Sequence, residues 1–372
     1  MGWCPSRTFL GNDAQSFFLS QLTVGKSKYI AILWYGLPYY AASCISAAIR
    51  AFPDHRIVVI ATNVGVPYKD IDIACGAPVM WIDSMADLKW SDLGLDIPDV
   101  CVITSWNHRA YSALSIEAKK NKNAVVVSMV DNYFHGTLKQ WAGALYFRLR
   151  LRSLFDFMWV PGRRGRRFMR FLGMPDSRIL EGLYSASPAV FHNSGAGVNR
   201  DKVVFVGQFI YRKGVDKILD FLNTNAGASW RNRIRMIGHG PLTEGLLAAG
   251  MRLEPFMQAE ELATAYRGAR ALLLPSQMDH WGVVVHEAAL CGCLILATKQ
   301  CGAVDDLVVH EVNGYIMRES SSVEIARALE WLDGLSAEQM SEGSRVSLSK
   351  AADFSPRRWA ETLGRITDTV AV

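Results

Sequence analysis

The sequence predicts an α/β protein of two domains, each a parallel sheet covered by helices on both faces, that face each other across a cleft. The chain has 372 residues, which is long for one hydrophobic core and sufficient for two. Hydrophobic residues make up 50% and charged residues 20%, as in globular rather than disordered proteins. Short apolar runs alternate with helix-like segments, which is typical of parallel strands buried on both sides.

The first half of the chain contains five apolar runs of strand length. They lie at 29–35, 55–62, 99–106, 123–130 and 155–161, with helix-like segments at 38–52 and 112–121. Continuous apolar runs separated by helices indicate strands that are buried on both faces of a sheet. We therefore expect a first doubly wound, Rossmann-like domain.

A second series follows a segment rich in Ser, Gly, Asn and Pro at 185–201, which has the composition of a linker. Its strands are predicted at 202–208, 233–241, 253–257, 271–275, 293–298 and 314–318, and its helices at 214–225, from 242, at 259–269 and around 285–290. Near the C-terminus, Ser355 and Pro356 are the residue types that favour the N-cap and first turn of a final helix. A second Rossmann-like domain and one terminal helix are thus predicted.

The same patterns predict the domain boundaries. Residues 1–195 form the N-terminal domain, including a lead-in segment at 1–27, and residues 196–353 form the C-terminal domain. Residues 354–372 form a helix that packs back on the N-terminal domain. The lead-in has no basic start followed by an apolar block, so we predict no signal peptide. Ligands of such sheets bind outside the carboxyl ends of the strands, which puts the expected site in the cleft.

The composition argues against several classes of protein. No apolar run approaches the roughly 18 residues of a membrane span. Cysteines stand at positions 4, 44, 75, 101, 291, 293 and 301. Their odd number and scattered positions indicate free buried thiols in a reducing compartment. The cysteines at 291 and 293 are too close together for a zinc site of the usual spacing, and the chain has no second pair.

The net charge of +5 is unevenly distributed. Residues 1–199 carry 21 basic and 14 acidic side chains, whereas residues 200–372 carry 19 and 21. Eight arginines cluster around a single acid, Asp156; they are Arg148, Arg150, Arg152, Arg163, Arg164, Arg166, Arg167 and Arg170. Such a basic amphipathic stretch fits an anionic membrane surface, and fits a solvated helix face equally well. Nucleic acid is not expected, because no nucleic-acid-binding motif accompanies the charge.

Two glycine-containing turns follow predicted strands of the second domain. Gly207 ends the first strand, and Lys213 stands just before the next helix. A glycine lets the backbone approach a ligand closely, and a cation beside a helix N-terminus stabilises phosphate charge. Gly238 follows the next strand in the same way. The ordinary alternatives are a solvated lysine at a helix start and a tight turn.

Two carboxylates flank a loop and a helix start in the stretch SQMDHWGVVVHEAALCGC. Gly282 ends the loop, with Asp279 before it and Glu287 one turn into the helix that follows. The free amides of that helix point to where a diphosphate would bind, and carboxylates are good acceptors for sugar diols. Asp279 as a loop cap and Glu287 as a paired helix residue are the structural alternatives. The spacing lacks the H-E-x-x-H pattern of a zinc site.

The first domain offers fewer candidates. Gly36 follows the first strand, where it admits a phosphate or sugar close to the backbone or simply turns the chain. Asp131, Asn132 and His135 follow the strand at 123–130 and are expected to face the cleft. The alternative for His135 is a loop histidine that makes one backbone hydrogen bond.

The order of these motifs resembles that of one enzyme family. FVGQFIYRKGVDKIL, then IGHGP, then LLLPSQMDHWGVVVHEAALCGC and GAVDDLVVHEVNGYIM are similar to the nucleotide-sugar half of the retaining glycosyltransferases of family 4. Asp279 and Glu287 correspond to that family's E-x7-E pair. The specific similarity covers about 202–350, and WGVVVHEAA with DNYFHGT resembles the bacterial branch that builds surface polysaccharides. The resemblance implies the GT-B fold.

The resemblance also implies roles for individual residues. Lys213 would bind the diphosphate, Glu287 would bind the ribose, and Asp279 would bind the donor sugar. Asp131 or His135 would act from the N-terminal domain, and the sequence does not decide between them. The other expected donor contacts are Gly36, Gly207, Gln208, Arg212, Gly238, Met257, Trp281, Gly282, Val283 and Val284. Enzymes of this kind need no metal and no other cofactor, because catalysis relies on positioning and charge stabilisation.

Three positions depart from the family pattern. Gln208 stands where the family often has arginine, and neighbouring Arg212 compensates only if its side chain turns inward. Asp279 is one methylene shorter than the usual glutamate. The N-terminal strand ends in MVDN rather than in the histidine that many relatives have.

The sequence therefore predicts a retaining glycosyltransferase that moves a sugar from a nucleoside diphosphate donor to a glycan or lipid-linked acceptor. We expect a role in polysaccharide or lipopolysaccharide synthesis, in the cytoplasm or peripherally on the inner membrane through Arg148 to Arg170. A nucleotide-sugar epimerase would instead turn over the donor without an acceptor. A binding or scaffold subunit would bind the donor without transfer. A dinucleotide oxidoreductase is disfavoured, because no G-x-G-x-x-G follows the first strand.

Overall fold

A computed structural model of the chain describes residues 27–64, 69–82, 87–194 and 200–370. Within these ranges the chain forms two all-parallel sheets with helices on both faces. Almost all of the predicted lead-in segment lies outside the described residues, as does Cys4. The other six cysteines are buried free thiols, as predicted.

The first sheet has seven described strands in the order β3-β2-β1-β4-β5-β6-β7. They are β1 Tyr29–Tyr35, β2 Arg56–Thr62, β3 Val79–Trp81, β4 Val100–Thr104, β5 Val125–Met129, β6 Phe157–Trp159 and β7 Ile179–Leu180. The five predicted strands are all present. The two unpredicted strands, β3 and β7, are three and two residues long and form the edges of the sheet.

Helices cover both faces of the first sheet. They are α1 Tyr39–Ala51, α2 Ile71–Cys75, α3 Arg109–Lys122, α4 Leu138–Tyr146 and α5 Arg163–Phe171. Short 3-10 turns lie at Trp90–Leu93 and Asp176–Arg178, and a π-helical turn at Phe147–Leu151 continues α4. Alternate residues of β1 enter opposite cores: Ala31 and Leu33 pack on one face, and Ile30 and Ile32 on the other. This alternation explains why β1 is apolar along its whole length.

The second sheet has six described strands in the order β10-β9-β8-β11-β12-β13. They are β8 Lys202–Val206, β9 Ile234–Ile237, β10 Leu253–Glu254, β11 Ala269–Leu274, β12 Leu294–Thr298 and β13 Gly314–Met317. Its helices are α6 Val215–Leu222, α7 Asn225–Ala228, α8 Thr243–Ala248, α9 Ala259–Arg267, α10 Val283–Leu290, α11 Val304–Leu307, α12 Ser322–Asp333 and α13 Ala337–Ala351, with a 3-10 turn at Tyr211–Lys213. Every predicted strand of this half is present.

The last helix, α14 Pro356–Thr367, returns to the first sheet as predicted. The Ser355 side chain caps it by accepting a hydrogen bond from the Arg358 amide at 3.2 Å. Buried Trp359 stacks on Trp159 of β6, with 4.6 Å between ring centroids. The helix packs closely on α1 and thereby ties the end of the chain to the N-terminal sheet.

Ion pairs join the two halves of the molecule. Arg164 and Arg167 of α5 bind Asp305 of α11 at 2.6 and 2.5 Å, and Arg163 binds Asp306 at 3.0 Å. The other two arginines of α5 are paired with Asp176 and Glu181 close to the helix. All five arginines on α5, which belong to the basic stretch expected to fit a membrane surface, therefore form ion pairs with acidic side chains. Arg148, Arg150 and Arg152 are the remaining basic side chains of that stretch.

Candidate active site

Three adjoining cavities lie along the carboxyl ends of the strands of the two sheets. Their volumes are about 610, 390 and 360 Å³. Tyr40 of α1 lines all three cavities, and Val283 and Val284 line the first two. Both sheets reverse their strand order at this edge, between β1 and β4 and between β8 and β11. Such switch points are where doubly wound sheets bind ligands.

The first cavity, the largest of these three, is lined mainly by the C-terminal half. The predicted residues on its wall are Gly207, Gln208, Gly238, Met257, Val283, Val284 and Glu287. Tyr39 and Val64 enclose it from the N-terminal half. The wall is more apolar than polar, which suits a flat heterocycle carrying a few hydrogen-bonding groups.

Two glycines let the backbones of β8 and β9 meet at the floor of this cavity. Gly238 has a φ of 138° and lies against the carbonyl oxygen of Gly207. A Cβ atom at Gly238 would overlap that oxygen, and its positive φ is unfavourable for other residues. The glycine is thus required by the close approach of the two strands.

Glu287 lies on α10 and faces the first cavity. Its Oε2 accepts a hydrogen bond from the Tyr266 hydroxyl at 3.1 Å. Burial raises the pKa of Glu287 to about 7, although that hydrogen bond acts in the opposite direction. Among the described residues this carboxylate accepts no other hydrogen bond, so Oε1 is left for a ligand.

Lys213 and Asp279 form an ion pair in the second cavity. The Lys213 ammonium donates to Asp279 Oδ2 at 2.5 Å, and both side chains are largely buried. Gly214 ends the 3-10 turn with a φ of 72°, and a Cβ there would overlap the carbonyl oxygen of Pro275 at the end of β11. This close contact holds Lys213 against the loop that carries Asp279.

The N-terminus of α10 borders the same cavity. Gly282 precedes the helix with a φ of 86°, and a Cβ there would stand 2.8 Å from the Cys301 sulfur. The Val283 and Val284 amides belong to the first turn, where helical amides have no acceptor within the helix. Trp281 is buried, and its indole N–H has no acceptor among the described residues.

The two candidates for a second diphosphate cation occupy different places. Gln208 lines the first cavity, whereas Arg212 lines the second. The Arg212 guanidinium donates to the Met278 carbonyl at 3.1 Å, so it lies at the wall rather than away from the cavity. Arg212 is therefore the better located of the two to reach a phosphate beside Lys213.

The third cavity belongs to the N-terminal half. Gly36 lines it, together with Trp106 and Asn132, and does not line the cavity that contains Lys213. Gly36 has a φ of 65° and donates its amide to the Thr62 carbonyl at 3.0 Å, so it turns the chain after β1. Gly36, which the resemblance places among the donor contacts, therefore lies away from the cavity of the Lys213–Asp279 pair.

Asp131 stands at the boundary between the second and third cavities. It lines both, and its Oδ2 accepts a hydrogen bond from the Tyr184 hydroxyl at 3.2 Å. Its Oδ1 lies 3.5 Å from Nδ1 of His280 in the opposite domain. His135 lines none of the three cavities; its ring packs on Tyr133, with 4.3 Å between centroids. Of the two predicted N-terminal candidates, only Asp131 lines these cavities.

His280 and Tyr184 are site residues that the sequence analysis missed. The hydrogen bond with Asp131 raises the pKa of His280. Burial raises the pKa of Tyr184 well above its usual value, so this hydroxyl stays protonated and donates. His280 lies beside Asp279 in the motif SQMDHWGVVVHEAALCGC, but the spacing of this motif does not fit a zinc site, and nothing else in the sequence marks this histidine. Tyr184 lies next to the predicted linker, where nothing in the sequence marks it.

Two general properties complete the description of the site. Across the described residues, no three His, Cys, Asp or Glu side chains are grouped so that they could hold a metal ion. None of the helices in the described ranges is both long enough and apolar enough to cross a bilayer.

Comparison of the sequence with known proteins gives a partial match. Residues 188–346 match the family described as Glycosyl transferases group 1. D-inositol 3-phosphate glycosyltransferase of Xylanimonas cellulosilytica is 26% identical over 206 residues, which is 50% of this chain and 46% of that protein. Sulfoquinovosyl transferase SQD2 of Arabidopsis thaliana is 32% identical over 116 residues, 30% of this chain and 22% of that protein. The chain thus spans less than half the length of these relatives.

Solved structures match over nearly the whole chain. Anabaena Alr3699/HepE in complex with UDP has a TM-score of 0.70 and 14% identity, over 92% of this chain and 100% of that one. Sucrose-phosphate synthase of Thermosynechococcus elongatus has a TM-score of 0.65 and 11% identity, over 92% and 98%. The predicted GT-B architecture is therefore confirmed. The predicted resemblance is confirmed at the level of group 1 glycosyltransferases, through the match at 188–346.

Proposed function

We propose that the protein is a glycosyltransferase that moves a sugar from a nucleoside diphosphate donor to a hydroxyl of a glycan or lipid-linked acceptor, with retention and without a metal. The observation that carries the proposal is the arrangement of Glu287, the α10 N-terminus and the Lys213–Asp279 pair along two adjoining cavities. These groups complement, in order, a ribose, a diphosphate and a sugar.

The first cavity would take the nucleoside. Met257 and neighbouring Phe256 offer apolar surface for the base. Glu287 would accept hydrogen bonds from both ribose hydroxyls once it is ionised, while Tyr266 orients its other oxygen. Gly207 and Gly238 both line this cavity, so the nucleotide would lie against backbone without side chains there.

The second cavity would take the diphosphate and the sugar. Lys213 and the first amides of α10 supply positive charge where a diphosphate bears negative charge. Asp279 holds Lys213 in place and would accept hydrogen bonds from sugar hydroxyls with its remaining lone pairs. Arg212, at the same wall, would supply the cation that Gln208 does not.

In the transfer step, the bond between the anomeric carbon and the diphosphate oxygen breaks, and the acceptor oxygen bonds to the same carbon on the same face. The acceptor proton passes to the departing diphosphate. Lys213 and the α10 amides stabilise the charge that develops on this leaving group, which is how a preorganised site lowers a barrier. Asp131, at the entrance to the third cavity, would orient the acceptor hydroxyl.

The third cavity would take the acceptor. The third cavity is lined by aromatic side chains such as Trp34 and Trp106, which suit the apolar face of a sugar ring. We propose a bacterial role in surface polysaccharide or lipopolysaccharide synthesis, with the acceptor presented at the cytoplasmic face of the inner membrane. Support comes from the sequence motif WGVVVHEAA, which begins at Trp281, and from the net positive charge of the N-terminal half.

The test begins with a thermal-shift screen of UDP-, GDP- and ADP-sugars, because a ligand that binds only the folded state raises its unfolding temperature. Lys213→Ala should then abolish most of the shift and reduce donor turnover by at least about 100-fold. Lys217→Ala is the matched control, because Lys217 lies four residues away, on the surface of α6. Turnover by Lys213→Ala at the wild-type rate would refute the site.

A further inference from the structure

The segment 132–155 differs from the rest of the chain in its charge. It runs from the end of β5 through α4 and the π-helical turn to the start of β6. It contains one lysine and three arginines but neither aspartate nor glutamate. A stretch of this length with four cations and no acid is locally positive.

Four large apolar side chains of this segment are more than half exposed, although one of them, Trp141, also packs on Phe171. Leu138, Trp141, Leu145 and Leu149 are 88%, 56%, 59% and 72% exposed. Their spacing of three, then four, then four residues puts them on one side of the helix formed by α4 and the turn that continues it. These four residues are called the apolar stripe below.

The opposite side of the same helix accounts for its folding. Ala144 and Phe147 are buried in the core of the first sheet, and Leu151 packs against that core. The inward face is therefore complete without the apolar stripe. Soluble proteins seldom expose a continuous row of large apolar side chains unless it contacts a partner or a membrane.

Basic side chains border the stripe. Lys139, Arg150 and Arg152 are exposed and form no ion pair with any described residue. They differ in this respect from the arginines of α5, which acids already engage. An apolar row flanked by unpaired cations is the pattern of a helix that lies in the interface of an anionic bilayer.

We propose that the apolar stripe inserts into an anionic lipid bilayer, with α4 lying in the membrane plane and Lys139, Arg150 and Arg152 contacting lipid phosphates. The inference extends the lipid-linked acceptor of the proposed function, but the surface binds a bilayer whether or not a sugar is transferred. Leu145 and Leu149 provide the apolar contact, and Trp141 lies at the level of the headgroups.

The surface is connected to the candidate active site. Gln140 of α4 donates to the Tyr133 carbonyl at 2.9 Å and accepts from the His135 amide at 2.6 Å. The Tyr133 hydroxyl in turn donates to the Gln300 carbonyl of the other half at 2.8 Å. The loop that follows Asp131 is thus held between α4 and the cleft. A bilayer on α4 would place an acceptor headgroup beside the third cavity.

Vesicle flotation tests the proposal with the full chain. The wild type should float with phosphatidylglycerol–phosphatidylcholine vesicles and weakly with phosphatidylcholine alone, and its binding should fall as salt rises. Leu145→Glu/Leu149→Glu should lower the vesicle partition coefficient at least tenfold, because two leucines that would be buried in the bilayer are lost and two negative charges are added. Trp141 is left intact because it also packs on Phe171, with 4.7 Å between centroids.

Two further variants separate the apolar and electrostatic contributions. Arg150→Gln/Arg152→Gln should lower anionic-vesicle binding about fivefold for each arginine removed, and should leave binding to phosphatidylcholine unchanged. Leu247→Glu is the matched control, because Leu247 of α8 is 54% exposed, close to the value for Leu145, and lies in the other domain. It should bind vesicles like the wild type.

Three outcomes would overturn the proposal: no flotation of the wild type, flotation of the double-glutamate variant like the wild type, or equal loss in Leu247→Glu. A wild-type dimer that the double-glutamate variant abolishes, without vesicle binding, would assign the stripe to a second copy of the chain instead. Donor-induced thermal shifts of the same variants keep the two proposals apart. If the double-glutamate variant shows a normal donor-induced thermal shift but no flotation, only the membrane proposal concerns the altered residues, and the glycosyltransferase proposal is unaffected. If Lys213→Ala loses the thermal shift but still floats, the membrane proposal is unaffected.

Discussion

Replacing Glu287 with glutamine should stabilise the free protein and weaken its hold on the donor. Glu287 is a carboxyl group in an apolar wall whose pKa burial raises from 4.5 to about 7. A group of this kind favours the protonated form in the folded state. Raising the pH from 4.5 to 7 therefore lowers the free energy of unfolding, and the loss is complete above pH 7.

The size of the effect follows from the shift. A displacement from 4.5 to about 7 corresponds to at most about 3 kcal/mol of unfolding free energy. Glu287 faces a cavity and is only partly buried, so we expect about 1–3 kcal/mol. Glutamine resembles the protonated acid, keeps an acceptor for Tyr266 and ionises at no pH. The free energy of unfolding of the variant should equal that of the wild type near pH 4.5 and exceed it above pH 7.

The change in donor affinity has the opposite sign. Ionised Glu287 can accept from both ribose hydroxyls, and a hydrogen bond to a charged group contributes about 1.5–3 kcal/mol. Glutamine should therefore weaken donor binding by roughly 10- to 100-fold near pH 8. Near pH 6, where only about a tenth of Glu287 is ionised, wild-type affinity should fall towards that of the variant.

Urea denaturation near pH 5 and pH 8 measures the stability difference, and calorimetric titration with the best nucleotide sugar measures the affinity. A nucleotide sugar is preferred over the free diphosphate, because its doubly esterified diphosphate does not titrate in this range. His280 also loses its proton as the pH rises, but Glu287→Gln retains that contribution, so the difference between the proteins isolates Glu287.

The opposite pair of results would refute this reasoning. If Glu287→Gln destabilised the free protein and bound the donor normally, Glu287 would be a structural partner of Tyr266. A gain in stability that did not depend on pH would likewise exclude the burial of its charge as the cause.

Three further predictions concern other residues. Gly238→Ala should destabilise the protein by at least about 3 kcal/mol in urea denaturation, because its Cβ overlaps the Gly207 carbonyl at a φ of 138°; normal stability would exclude the close approach. Asp131→Asn should lower the pKa of His280, followed by NMR of the ring protons, and slow transfer while donor binding is retained; an unchanged pKa would show that the two side chains do not interact in solution. Ser355→Ala should cost about 1 kcal/mol, because the last helix loses its cap.

The sequence predicted the long strands of both sheets but not the edges of the first. The central strands are apolar throughout because both faces are covered, and this pattern is visible without any other information. The edge strands β3 and β7 are three and two residues long. Segments so short have no readable periodicity, and only pairing with a neighbouring strand defines them.

The arginines of α5 show a different limit. Their basic character suggested a membrane surface as readily as a solvated helix, yet Asp305 and Asp306 of the other half bind three of them. Those acids lie in a separate motif, far along the chain, and no spacing rule connects them to Arg163 or Arg164. No helix is predicted at α4, and leucines at helical spacing usually mark a core-facing side, so the exposure of the apolar stripe is visible only in the folded chain.

The C-terminal half of the candidate site could be predicted from the sequence because its geometry demands particular residues. Gly214, Gly238 and Gly282 all have positive φ and leave no room for a Cβ. The backbone conformation therefore requires glycines at fixed spacings in the sequence. The N-terminal side of the site imposes no such demand. Tyr184 reaches Asp131 from a segment of ordinary backbone, and many other residues would fit there sterically. A site built from close backbone contacts leaves a motif, whereas one built from side chains of both domains appears only once the domains are brought together.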